Sequence, residues 1–136
     1  MTDGKIAYAV EERLTVPEFL DVLHRSTLAE RRPVGEPDRI AKMVAHANLF
    51  VTARAGAKLV GIARSLTDFT FCCYLSDLAV DKDYQRRGIG RTLIEKTREA
   101  VGDSMLLLLS APQAMAYYPH IGMSKAENAF IFRRRR

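Results

Sequence analysis

The chain has 136 residues, enough for one domain spanning 1–136 with a real hydrophobic core, and its 48% apolar and 27% charged content is ordinary for a globular fold. No apolar run reaches membrane-spanning length and the N-terminus lacks the layout of a secretory leader, so the expectation is a cytoplasmic protein without membrane contact. The formal net charge is +5, but four of those charges are Arg133 to Arg136; the basic balance reports a tail rather than a nucleic-acid platform, which would also need interleaved aromatics.

Residues 5–10 alternate weakly and predict a first strand. Thr15 followed by Glu18 has capping-box spacing, and Val16, Phe19, Leu20 and Leu23 fall on one helical face. Residues 28–35 break the pattern and read as a loop, before a second helix starting near Pro37 or Asp38 with a stripe of Ile40, Met43, Val44 and Ala47. Residues 49–54 and 58–66 are strand-like and joined by Ala55-Gly56-Ala57, a hairpin connection. Asp68 and its neighbours turn the chain into a strand that ends at Val80. Within it Cys72 and Cys73 are adjacent and point to opposite faces, which argues against a structural disulfide or a metal pair and for a reducing compartment.

The run from Asp81 to Thr92 joins that strand to an amphipathic helix whose stripe is Leu93, Ile94, Thr97 and Val101, with Gly102 just past its end. Gly88 and Gly90 stand where the helix begins, among Arg86, Arg87 and Arg91. The first helical turn has unpaired N–H groups and partial positive charge, glycines permit close approach, and arginines add counter-charge. The run therefore reads as a diphosphate cradle. A Gly-Lys-Ser/Thr ending is absent, and Leu93 stands where a G-x-G-x-x-G fingerprint needs its third glycine. Downstream, residues 105–109 predict a strand covered on both faces, residues 111–119 a short helix, and residues 129–133 a last strand. The order describes an α/β domain with a central mixed sheet and about four flanking helices.

Gln85 to Gly90 fits Q-x-x-G-x-G, which resembles the acetyl-CoA-binding motif of the GNAT superfamily of N-acetyltransferases. Ala114-Met-Ala-Tyr-Tyr-Pro-His-Ile-Gly-Met123 resembles the A-x-x-F-Y-x-x-x-G-F segment of the same family, with Tyr117 in place of its phenylalanine and Tyr118 at its tyrosine. The element order matches as well, so the resemblance covers essentially the whole chain.

It implies a GNAT-type acyltransferase fold and transfer of acetyl from acetyl-CoA, a cosubstrate, to a primary amine by direct attack in a ternary complex, with no metal. The implied cofactor contacts are the main chain of Leu78, Ala79 and Val80 for the pantetheine arm and the oxyanion. Gln85, Arg86, Arg87, Gly88, Ile89, Gly90 and Arg91 would serve the phosphates, with Thr92 adding a hydroxyl. Tyr118 is implied as the proton donor to the leaving thiolate, although which of Tyr117 and Tyr118 faces the thiol stays open. Asp77 is one reading for the general base, with His120 as a rival, and Asp77 reads equally as a structural hydrogen-bond acceptor; His24 and His46 read as structural. In a regular strand Tyr74 and Ser76 share a face and Asp77 takes the other, a parity that a bulge would change. Tyr74 and Ser76, with Arg31 and Arg32 of the loop between the first two helices, are the residues offered to an acceptor. A small-molecule amine is the first reading; a peptide or aminoacyl-tRNA acceptor, or a non-catalytic acetyl-CoA sensor, are the alternatives, with monomer and homodimer both open.

Overall fold

The computed structural model describes residues 5–135; residues 1–4 and Arg136, the last of the basic tail, lie outside it. Five strands form one sheet in chain order: β1 Ala7–Glu11, β2 Leu49–Ala55, β3 Lys58–Thr67, β4 Cys72–Val80 and β5 Met105–Leu108. β1 to β4 are antiparallel neighbours, and the hairpin between β2 and β3 closes on two residues, Gly56 (φ 63°) and Ala57. β5 runs parallel to β4 after a crossover through a helix, α3 Ile89–Val101.

On the opposite face lie α1 Val16–Ser26 and α2 Pro37–His46. Thr15 caps α1 by accepting the Glu18 N–H at 3.2 Å, but the Glu18 carboxylate meets the Thr15 hydroxyl at 3.4 Å and Arg54 at 3.0 Å rather than the Thr15 N–H, so only half of the capping box forms. Phe19, Val22, Leu23 and Ile40 are fully buried against Phe50 and Ile62 of the sheet. On the α3 face the core is built from Val51, Val60, Leu75, Ile89, Leu93 and Val101. Gly61 of β3 sits under the head of α3; a Cβ there would stand 3.1 Å from Ile89 Cγ2 and 3.1 Å from Leu93 Cδ1.

β3 and β4 carry an irregularity that shapes the rest. Arg64 pairs with Asp77 while Ser65 pairs with Leu75, so Ser76 is an extra residue without a partner opposite it. The bulge reverses the parity of a regular strand. Leu75 packs toward α3, whereas Asp77 turns to arginines on the other face and Ala79 packs under α1 and α2. Tyr74 and Asp77 therefore share the α1/α2 face. Beyond the bulge β5 no longer follows β4: their pairing ends at Leu75 with Leu108, while β4 continues to Val80.

Four expectations are corrected. Residues 28–35 are not all loop, because Leu28–Arg31 winds into a 3-10 turn. Residues 111–119 form no single helix but a 3-10 turn, Pro112–Ala114, and a one-turn helix, α4 Tyr117–His120, with Pro119 in its first turn where a missing N–H costs nothing. β5 is not covered on both faces: it is an edge strand, and Met105 is 57% exposed. Residues 129–133 form no strand, and Phe130 and Phe132 project fully into solvent. A strand exists only as part of a ladder, and among the described residues nothing pairs with this apolar run.

Candidate active site

Asp81 follows the last residue of β4 and is buried although charged. Its Oδ1 accepts the Asp83 N–H at 2.8 Å and caps the 3-10 turn Lys82–Tyr84; its Oδ2 is paired with Arg25 of α1. Gln85 closes the turn by donating its side-chain amide to the Val80 carbonyl at 2.9 Å. Two left-handed residues then reverse the chain, Arg86 (φ 66°) and Gly88 (φ 80°). Glycine accepts that conformation freely, whereas Arg86 is held in it by the fixed ends of the loop.

Gly88 is the N-cap of α3, and the first helical bond is the Thr92 N–H to the Gly88 carbonyl at 3.0 Å. The N–H groups of Ile89, Gly90 and Arg91 therefore emerge at the helix head without helical partners. A Cβ on Gly88 would meet nothing within 4 Å, so the approach to these donors is open. Ile89 contributes only main chain, since its side chain is buried in the core, and the Thr92 amide is already spent, leaving its hydroxyl. Arg86, Arg87 and Arg91 are exposed around the rim. Arg87 stacks 4.9 Å from the Tyr84 ring centroid, and Arg91 pairs loosely with Glu95 at 3.4 Å.

The cradle opens onto the gap left where β4 and β5 part. The Asp81 N–H donates to the Val60 carbonyl at 2.8 Å, so alternation along the ladder turns the Ala79 and Asp77 backbone toward β3 and the Leu78 and Val80 N–H groups toward the gap. Of the three main-chain positions expected there, the structure brings Leu78 and Val80 to the gap and leaves Ala79 in the sheet. Such an edge offers hydrogen bonds to an extended, amide-bearing chain.

α4 borders the same space. A Cβ on Gly90 would stand 3.7 Å from the Tyr117 hydroxyl and 3.8 Å from Val80 Cγ2, so Tyr117 lies over the helix head. Tyr118 packs edge-on to it, ring centroids 5.2 Å apart, and is half-buried on the α3-side core that Leu78, Val80 and Leu108 also join. Burial raises the phenol pKa of Tyr118 above its ordinary value, with the neighbouring Tyr117 adding to the rise, so its proton is retained across neutral pH.

Asp77 does not have the setting of a base. It is 0% exposed, its Oδ1 is held by Arg32 Nε and its Oδ2 by Arg64 Nε, and no oxygen faces an incoming amine. Arg32 is committed in the same way, while Arg31 is exposed and free of Asp77. Tyr74 stays on the open part of this face beside Leu66, its partner in β3. His120 is exposed at the end of α4. Among the described residues no His, Cys, Asp and Glu side chains cluster as a metal site would require.

The family model for an acetyltransferase (GNAT) domain matches residues 25–134. The chain belongs to the GNAT acetyltransferase family. Among curated GNAT relatives, GCN5-related N-acetyltransferase 2 of the Arabidopsis thaliana chloroplast is 33% identical over 70 residues, covering 48% of this chain and 26% of that protein. Histone acetyltransferase TAP1 of Glycine max is 31% identical over 70 residues, 48% of this chain and 29% of its own length. The matched stretch thus spans under a third of either relative. Among solved GNAT structures, an acetyltransferase of Streptococcus pneumoniae TIGR4 superposes with a TM-score of 0.78 at 19% identity, over 97% of this chain and 100% of that one. AAC(6')-Iy, in complex with a bisubstrate analogue built on CoA, superposes at 0.70 with 10% identity, over 97% and 99%. At these identities the structures establish the fold.

Three residues of the candidate site escape sequence reasoning. Asp81 and Arg25, 56 positions apart, fasten the cradle to α1, and Arg64 reaches Asp77 from β3. Asp81 had a local signal, an acidic residue at strand end before a turn; the two arginines had none.

Proposed function

We propose that this chain catalyses transfer of an acetyl group from acetyl-CoA to the primary amine of a small-molecule acceptor, by direct attack within a ternary complex. The observation that carries the reading is the continuity of three features: the free N–H groups at the head of α3, the open edge of β4 at Leu78 and Val80, and the two tyrosines of α4 over both. The helix-head amides of residues 89–91 and the rim arginines Arg86, Arg87 and Arg91 would hold the diphosphate, as the field and the donors suit an anion. The Leu78 and Val80 main chain would hold the pantetheine amides and polarise the thioester carbonyl, where preorganised donors act most strongly on a developing oxyanion.

Tyr118 is the proton donor in this reading. The departing thiolate of a thiol with a pKa near 8.5 takes a proton from the phenol, which burial keeps protonated at neutral pH, and the phenolate regains a proton through solvent from the nitrogen that has formed the amide. Tyr117 closes the channel above Gly90 and limits water there. On the acceptor side Tyr74 and Leu66 form an apolar shelf, and Asp77, the carboxylate of that strand, is already neutralised by two guanidinium groups. That supports an amine with an apolar body over a polycation. The free thiols, Cys72 exposed and Cys73 buried, fit a reducing compartment, and we place the protein in the cytoplasm; no helix among the described residues is long and apolar enough to cross a membrane.

The test is incubation with acetyl-CoA and a panel of amines while following free thiol release, alongside calorimetric titration of acetyl-CoA. Thiol release with an apolar amine supports the reading. Tight acetyl-CoA binding with silence across chemically diverse amines would reassign the chain as a sensor, and absence of acetyl-CoA binding would overturn the cradle itself.

A further inference from the structure

Three charged side chains from three separate elements meet at the bulge of β4. Asp77 is fully buried, Arg64 of β3 is 5% exposed, and Arg32 arrives from the loop that joins α1 to α2. Each guanidinium takes one carboxylate oxygen through its Nε, and each sends an Nη2 to the same neighbouring residue. Arg32 Nη2 donates to the Ser76 carbonyl at 2.8 Å, and Arg64 Nη2 to the Ser76 hydroxyl at 3.1 Å. The remaining donors fasten the cluster outward, Arg64 Nη1 to the Met43 carbonyl of α2 at 2.9 Å and Arg32 Nη1 to its own neighbour, the Arg31 carbonyl, at 2.8 Å.

Ser76 is the residue that the bulge leaves without a ladder partner, and past it β5 separates from β4. A bulge displaces a carbonyl from the ladder, and a buried carbonyl without a donor is costly. Here a guanidinium supplies the donor. Planar, five-donor arginines suit such a junction because one fork serves a carboxylate and a carbonyl together. The cluster carries two positive charges against one negative, which is more than an ion pair needs for neutrality alone. Its geometry is that of a clamp on Ser76.

We propose that Arg32, Asp77 and Arg64 are positioning residues that hold the β4 bulge, and with it the β4–β5 gap, in the open form, and that through Arg32 the gap and the 28–35 loop are energetically coupled. The inference rests on the reading of the gap as the acetyl-CoA channel. Arg32 is the one member carried by the loop, so the loop's order and the bulge's geometry share a fastening. Acetyl-CoA lying along the Leu78 and Val80 edge selects the fastened state, and the loop tightens with it; by reciprocity, a loop freed of Arg32 weakens acetyl-CoA binding.

The experiment is hydrogen exchange of residues 28–35 with and without acetyl-CoA, and calorimetric titration of acetyl-CoA, on the full chain and on Arg32→Gln, Arg32→Lys and Arg39→Gln. In the unmodified protein acetyl-CoA slows exchange across residues 28–35. Arg32→Gln loses that protection and binds acetyl-CoA about tenfold more weakly, within the usual range of site-to-site coupling. Arg32→Lys does not restore it, since an ammonium cannot span both partners in one plane. Arg39→Gln, which removes an exposed ion pair with Glu36 on α2, keeps the parent affinity. Acetyl-CoA binding to the unmodified protein with no change in loop exchange would overturn the coupling while leaving the channel reading standing. An Arg32→Gln affinity equal to the parent's would do the same. No acetyl-CoA binding by the unmodified protein would instead remove the channel reading on which the coupling rests.

Discussion

Gly61→Ala inserts one methyl group between the sheet and the head of α3, and the structure sets the size of the effect. The added Cβ would lie 3.1 Å from Ile89 Cγ2, 3.1 Å from Leu93 Cδ1 and 3.3 Å from Ala53 Cβ. Comfortable carbon contacts fall at roughly 3.5–4.0 Å, so α3 or its side chains must give way by several tenths of an ångström. Overpacking of this kind costs about 1–3 kcal/mol, and alanine recovers about 0.5–1 kcal/mol of the entropy that glycine loses on folding. The net is destabilisation by up to about 2.5 kcal/mol, a fall of up to roughly 10 °C in melting temperature for a domain of this size. Ile89 is also the first residue of α3, so the displaced helix carries the Ile89 and Gly90 amides with it, and acetyl-CoA affinity falls several-fold. Denaturation monitored by circular dichroism and calorimetric titration with acetyl-CoA read the two effects. A melting temperature at or above the parent's, with undiminished affinity, would refute the argument that this glycine seats the cradle.

Gly90→Ala should separate the same two quantities in opposite directions: the helix gains up to about 1 kcal/mol, while the new methyl, in contact with the Tyr117 hydroxyl and Val80, narrows the channel and lowers acetyl-CoA affinity. Paired melting and titration curves check it. Tyr118→Phe should lower turnover on the order of 10²–10⁴-fold with little change in acetyl-CoA affinity, and the alkaline limb of the parent's pH–rate profile should lie above pH 10, since burial raises this phenol from its ordinary 10.0. Asp81→Ala should loosen the cradle, costing about 2–4 kcal/mol in chemical denaturation and most of the acetyl-CoA binding, because the turn loses its carboxylate cap and Arg25, still held by Asp21 and the Leu59 carbonyl, loses its buried partner. Toward acid, Asp68 and Glu11 should both cost stability. Three backbone N–H groups, from Phe71, Thr70 and Cys72, hold Asp68 near a pKa of about 2, and hydrogen bonding from Arg54 lowers Glu11. Their contributions are complete above the ordinary carboxylate range and are lost as pH falls from about 4 toward 2, so melting temperatures recorded across that window should decline, and less steeply in Glu11→Gln.

What was legible in the sequence is what neighbours in the chain decide. Thr15 caps α1, Gly56 turns the hairpin, and Gly88 opens α3, each by conformational preferences that act over three or four residues. The loop from Gln85 to Arg91 and the helix head it leads to were readable for the same reason, since the glycines and arginines are contiguous. The bulge was not, because a strand cannot reveal alone that its partner slips by one residue; the slip exists only in the pairing of Ser65 with Leu75. With the bulge went the choice between the two readings of Asp77, whose partners lie 13 and 45 residues away and reach it only once three elements have assembled. The apolar run at 129–133 failed in the other direction: its pattern has the composition of a strand, but pattern cannot supply a second strand to pair with.

The two adjacent cysteines give the molecule a use beyond its chemistry. Cys72 stands in solvent opposite Met105, the first pair of the β4–β5 ladder, while Cys73 points into the interior and burial raises its thiol pKa. A maleimide dye should therefore attach once, at Cys72, without any engineered substitution. Its fluorescence would report on the paired stem of the two strands, three residues before they diverge past Leu75 and Leu108.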